Sequence, residues 1–149
     1  MHFDSTIKNQ NLTSFSLEQK IPAEKLLTPD AAKLSQRYAA GERNFIRADL
    51  SGTDLSGTNL SGINLQGASL CNANLTNTNL SGANLSGADL SGANLRKANL
   101  SRANMSWTNL FTTNLSGTDM SEANLSWAKL SWTRLNEANL KGANLIWAT

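Results

Sequence analysis

The chain has 149 residues, 40% hydrophobic and only 16% charged, with 13 basic and 11 acidic side chains and a net charge of +2. One cysteine, Cys71, excludes an internal disulfide and a cysteine-based zinc site, and one histidine, His2, leaves no histidine triad or multi-histidine metal site. No stretch approaches the roughly 18 apolar residues of a membrane-spanning helix, and the charge is too balanced for a dedicated nucleic-acid binder.

The first residues, MHFDSTIKNQNLTSF, lack a charged region followed by an apolar core. They do not read as a secretory signal, and the cytoplasm is the expected compartment. Residues 1–27 include Phe3, Phe15 and Leu17 but no period, and read as a partly ordered or flexible extension. Thr28-Pro29-Asp30 then has the chemistry of a helix start: a hydroxyl N-cap, proline in the first turn and an acid near the positive dipole end. Leu27, Ala31, Leu34 and Tyr38 share a face at helical spacing, and Gly41 is a natural stop. The expectation is a helix within residues 28–41 that covers the near end of the segment after it.

Residues 43–149 are a repeat. From Phe45 to Leu145 every fifth residue is large and apolar: 21 positions, 18 of them Leu, the others Phe45, Met105 and Met120. Two residues before each stands a small residue, 12 times Ala and 7 times Thr, with Arg43 and Ile63 as exceptions. One residue before each stands Asn 14 times and Asp 4 times. A five-residue period fits neither the stripe of a helix nor the alternation of a flat strand. It fits a chain that turns a corner once per unit, pointing the small residue and the Leu inward and the Asn outward. Repeated corners of one sense wind a solenoid whose coils stack at about 4.8 Å.

The second corner residue is the one that needs a positive φ in a type II turn, which favours Gly and then Asn. It is Gly or Asn from Gly52 to Gly92, and mostly bulky from Lys97 onward. Type II corners are therefore predicted up to residue 92 and mostly other turn types beyond. Trp107, Trp127 and Trp147 share this corner position 20 residues apart, so a four-sided coil of 20 residues would stack them. Arg43 stands at an inward position, so its guanidinium is expected to reach solvent, Glu42 or the helix, while Phe45 sits beneath the helix.

The units from Ala48-Asp49-Leu50-Ser51-Gly52 onward resemble the pentapeptide-repeat family, over roughly residues 43–148. That resemblance implies a right-handed four-sided β-helix, and with the helix read above the expected fold is an all-β solenoid of about five coils under an N-terminal helical cap. It also brings a functional alternative, because some members mimic DNA and inhibit or protect gyrase. A mimic needs dense negative charge, whereas this repeat region carries 8 basic and 6 acidic side chains.

Catalytic, cofactor-binding and metal-ligating residues are not found. Cys71 is a corner residue with no activating neighbour in sequence. Asp49, Asp54, Asp89 and Asp119 face outward, and none stacks directly on another. Arg96, Lys97 and Arg102 form the densest basic patch, with Arg102 expected over Glu122 one coil later. Outward threonines of the kind an ice-binding ladder needs are rare. The aromatics are the better lead. Trp107, Trp127 and Trp147 should form a column, with Phe111 and Trp132 on the next corner and Asn109 and Lys129 on the face between. Two readings fit that surface: a contact site for a protein partner, or rings that merely shield corner backbone and each other. At the C-terminal end Leu140, Leu145 and Trp147 would mark an open coil edge, and a homodimer is expected through the C-terminal coils or the Trp-lined face. The expected function is thus a non-enzymatic scaffold or protein-interaction module, with no membrane association and nucleic acid disfavoured.

Overall fold

The computed structural model describes residues 31–149. The extension over 1–27 and the helix start at Thr28 lie outside the described residues. Helix α1 spans Ala31–Ala39. It ends as its sequence suggests, at Gly41 with φ +98°, where Glu42 N–H donates to the Arg37 carbonyl and Gly41 N–H to that of Tyr38. The buried Leu34 belongs to the core, and Ala31 and Tyr38 pack against it. The Tyr38 hydroxyl donates to the Ser61 carbonyl of the first coil at 2.7 Å.

Beyond α1 the chain is a four-sided solenoid. Each outward residue pairs in parallel with the residue 20 positions later, from Asn44 with Asn64 to Asn124 with Asn144. Four pentapeptides therefore make one coil, the number that the tryptophan spacing implies. Three backbone bonds per side hold successive coils together. Around Leu95 they run from Leu95 N–H to Asn114, from Lys97 N–H to Ser116 and from Asn114 N–H to Ala93, at 2.8–3.0 Å.

The inward positions fill the interior. The leucines from Leu50 to Leu125, Met105 and Met120, and the intervening alanines form one buried cluster. Phe45 closes it beneath α1, with the Arg37 guanidinium 4.6 Å from its ring centroid. Arg43 escapes its inward position as expected. Its guanidinium donates to the carbonyls of Tyr38 and Glu42 and lies 3.7 Å over the Tyr38 ring.

The outward Asn preference has a local cause. At every outward Asn and Asp from Asp49 onward, the side-chain Oδ1 accepts the N–H two residues later, as in Asp49 to Ser51 and Asn99 to Ser101. This is an Asx turn, and it satisfies the one corner donor that the coil stacking leaves over.

The corners correct the sequence expectation. All 21 are alike: the second corner residue has φ between 56° and 72°, whether Gly or not, and each is closed by a bond from the small residue's N–H to the Leu carbonyl three residues back. The type II pattern continues through Lys97, Arg102, Trp107, Thr112, Glu122, Trp127, Trp132, Glu137 and Trp147. Coil stacking overrides local preference, because up to Trp127 each second-corner N–H points at a carbonyl one coil later, as Trp107 does at Ser126 (2.9 Å), and the corners of the last coil keep the same turn. A bulky residue reaches that donor geometry only in the left-handed region, at about 1–2 kcal/mol.

Three of the buried threonines are satisfied by the coil before them, whereas the Thr108 hydroxyl donates within its own turn to the Met105 carbonyl at 2.7 Å. The Oγ1 of Thr78, Thr113 and Thr118 donates to the Leu carbonyl 23 residues earlier at 2.7–2.9 Å. Thr53 is in the first coil, with no coil before it, and its buried hydroxyl has no partner among the described residues. Thr113→Val is therefore expected to cost about 0.5–1.5 kcal/mol, whereas Thr53→Val is neutral or stabilising. Urea unfolding of the two variants checks this. Equal losses would contradict it.

Candidate protein-interaction surface

The outer surface is laid out by the coil. Columns of side chains run along each corner and each face at the coil spacing. On one corner Trp107 and Trp127 stack with ring centroids 4.8 Å apart and planes 2° from parallel, and Trp127 and Trp147 stack in turn at 5.5 Å and 20°. All three have φ of 61–62°. The left-handed corner turns the side chain out from the coil, and Trp107 is 62% exposed. Trp132, 82% exposed, and Phe111 stand on the next corner. Neither takes part in a ring stack among the described residues. Lys129 is exposed on the face between the two corners, directly after Asn109 in its column. The expected residues thus share one side of the molecule, but only the column of three is in ring contact.

At the C-terminal end Leu140 is half-buried and packs on the core, Leu145 is exposed and Trp147 closes the column. Exposed Ile146 adjoins Trp147 and widens the apolar strip. Sequence reasoning passed it over, and its signal was an isoleucine at a corner position that is usually Ser.

The remaining candidates are polar. Arg102 Nε donates to Glu122 Oε2 at 2.9 Å one coil later, as expected. This exposed pair borders an outer groove of about 500 Å³ with Ser101 and Asp119. Cys71 is half-buried, with the Ser91 hydroxyl 3.4 Å from its sulfur. The fold brings Asp89 to it, which its position in sequence did not suggest. Among the described residues no three His, Cys, Asp or Glu side chains converge as a metal site would need, and no helix is long and apolar enough to cross a membrane.

Burial pushes the Asp89 carboxyl up, but hydrogen bonds from the Ser91 backbone and hydroxyl, from Cys71 and from Asn109 outweigh it and hold it below the ordinary value of 3.8. Ser121 does the same for Asp119, by its backbone N–H first and then its hydroxyl. A lowered native pKa adds stability above the unfolded-state value, and that stability is lost as pH falls through the native one. Asp89→Asn keeps the Oδ1 acceptor and removes the proton. It is expected to fold normally and to show a shallower loss of stability below pH 3.8, measured as unfolding free energy against pH. An unchanged acid limb would contradict this account of Asp89.

Comparison with known proteins agrees with the geometry. The model of the family described as pentapeptide repeats matches residues 44–82, 78–117, 88–126 and 118–149. No curated protein sequence matches the chain. Among solved structures, the pentapeptide repeat protein Rfr23 from the cyanobacterium Cyanothece 51142 is similar at 25% identity and a TM-score of 0.61, over 79% of this chain and 98% of that one. A pentapeptide repeat protein from the thylakoid lumen of Arabidopsis thaliana is similar at 29% identity and a TM-score of 0.52, over 74% of this chain and 67% of that one. The four-sided coil, its 20-residue register and these matches together make the chain a member of the pentapeptide-repeat family, with that family's right-handed quadrilateral β-helix.

Proposed function

We propose that this chain is a non-enzymatic scaffold that recruits a protein partner through the surface of Trp107, Trp127, Trp147, Trp132, Phe111 and Lys129. One observation carries the reading. Three tryptophans occupy exposed, left-handed corner positions of a column whose earlier members are Arg47, Gly67 and Gly87. The core is already filled by leucine, and glycine would hold these corners with less backbone strain. Contiguous exposed aromatic area is the composition of a protein contact site. The test is affinity capture from the native host, wild type against Trp107→Ser/Trp127→Ser. The reading expects a partner retained by the wild type and lost by the variant. The same set captured by both would overturn it.

Helix α1 is assigned the role of cap, supported by Leu34 in the core and by the Tyr38 bond to the first coil. The coil edge at Leu140 and Leu145 fits a homodimer. Sedimentation as a monomer at high micromolar concentration would count against that dimer. The DNA-mimic alternative has little electrostatic support, because the acids are few and the repeat region carries net positive charge. The expected result of a gyrase supercoiling assay is no effect, and inhibition or drug protection would reverse the ranking.

A further inference from the structure

Helix α1 covers the core at the near end of the solenoid, but it does not pair the backbone edge of the first coil. In later coils each side offers one N–H and two carbonyls to the coil before it, as Asn114 does with its N–H and carbonyl and Ser116 with its carbonyl. In the first coil the N–H groups of Asp54 and Asn59, and the carbonyls of Asp54, Ser56 and Asn59, have no partner among the described residues. Asp54, Ser56 and Asn59 are exposed. The Asp49 N–H on the side before them is unpaired too, but Asp49 is half-buried. The sides of Leu55 and Leu60 thus present an open parallel-sheet edge, which is a template for another extended segment.

The chain that leads into α1 carries the pattern of that edge. Phe3, Phe15 and Leu17 share no period, but Leu12 and Leu17 stand five residues apart, each directly after a residue that holds the outward place in the repeat, Asn11 and Ser16. Gln10–Ser14 and Phe15–Gln19 are two units for two open sides. Their order fits the winding, since the sides of Leu55 and Leu60 lead to that of the next leucine, and one coil earlier that next residue is Phe45. Gln10 and Phe15 stand where the repeat has a small residue. An end coil has no layer beyond it to crowd that place, and Arg43 already holds it in the first unit.

We infer that residues 10–19, which lie outside the described residues, add two repeat units to the near edge, the Asp54 and Asn59 N–H groups donating to the carbonyls of Gln10 and Phe15. Thr53 keeps its orphan hydroxyl, because its acceptor would be a carbonyl over the side of Leu50, where no unit is added. The pairing removes an edge on which a second copy could stack. Self-association at Leu140 and Leu145 then closes at a dimer instead of continuing into a fibre.

The test is amide hydrogen exchange of the full chain by NMR, wild type against Leu12→Asp/Leu17→Asp. The expected result is that the Asp54 and Asn59 amides of the wild type exchange at least about tenfold more slowly than an unstructured chain, and that the double variant loses this protection. The Asn74 amide, bonded to the Thr53 carbonyl at 2.9 Å, should stay protected in both and shows that the solenoid is folded. Leu12→Met/Leu17→Met should keep the protection, because Met105 and Met120 hold the same inward place. Asp54 and Asn59 amides that exchange at the unstructured rate in the wild type would overturn the inference. So would protection that survives Leu12→Asp/Leu17→Asp, and if it rises with protein concentration the edge belongs to a second copy.

Discussion

Leu95→Ala is expected to destabilise the protein by about 2–5 kcal/mol. Leu95 is fully buried in the middle of the solenoid. Its N–H reaches Asn114 in the next coil, and its carbonyl accepts both the Ala98 N–H and the Thr118 hydroxyl. All three bonds use the Leu95 backbone, which the substitution leaves in place, so the loss reports packing alone. The cavity cannot collapse easily, because the coil above and the coil below are held in register by the same ladder. Leu145→Ala at the exposed last coil should cost far less, since Leu145 is already 41% exposed. Chemical denaturation of the two variants measures the contrast. Equal losses would mean that the stacked leucines are not the main source of stability.

Gly92→Val is expected to cost about 1–3 kcal/mol. Gly92 has φ +69°, where a β-branched residue is strained, and its new Cβ would lie 2.3 Å from Asn72 Oδ1. The Asn72 amide can swing aside, which keeps the steric part small, but the backbone part remains. The reverse change argues the same point. Thr112 is a β-branched residue held at φ 56° with its side chain exposed, and Thr112→Gly should raise stability by about 1 kcal/mol. A destabilised Thr112→Gly would show that the left-handed corners carry no strain.

Much of the architecture was legible in the sequence because each unit must solve the same local problem. The five-residue spacing of Leu50, Leu55 and Leu60 excluded helix and flat strand and left a cornered coil. The 20-residue spacing of Trp107, Trp127 and Trp147 supplied the number of sides. Corner chemistry was less legible. Lys97, Arg102 and Thr112 are poor residues for a positive φ, and local preference placed them in other turns. The coil-to-coil bonds that hold them there join residues 19 positions apart, a constraint that no local window contains. The reason for the outward Asn was hidden in the same way, since its Oδ1 serves a corner N–H rather than solvent.

The aromatic surface was legible as a column because stacking is a consequence of register alone. The proximity of Cys71 and Asp89 was not, since they sit on neighbouring columns and successive coils.

The central claim is that the tryptophan column serves recognition and is not required by the fold. The direct measurement is the unfolding free energy of Trp107→Gly/Trp127→Gly. Losing both stacks costs about 1–3 kcal/mol, and relieving two left-handed corners returns a similar amount, so the predicted result is cooperative unfolding with a net change within about 1 kcal/mol of wild type. A loss as large as that of Leu95→Ala would contradict the claim and make the column a structural element.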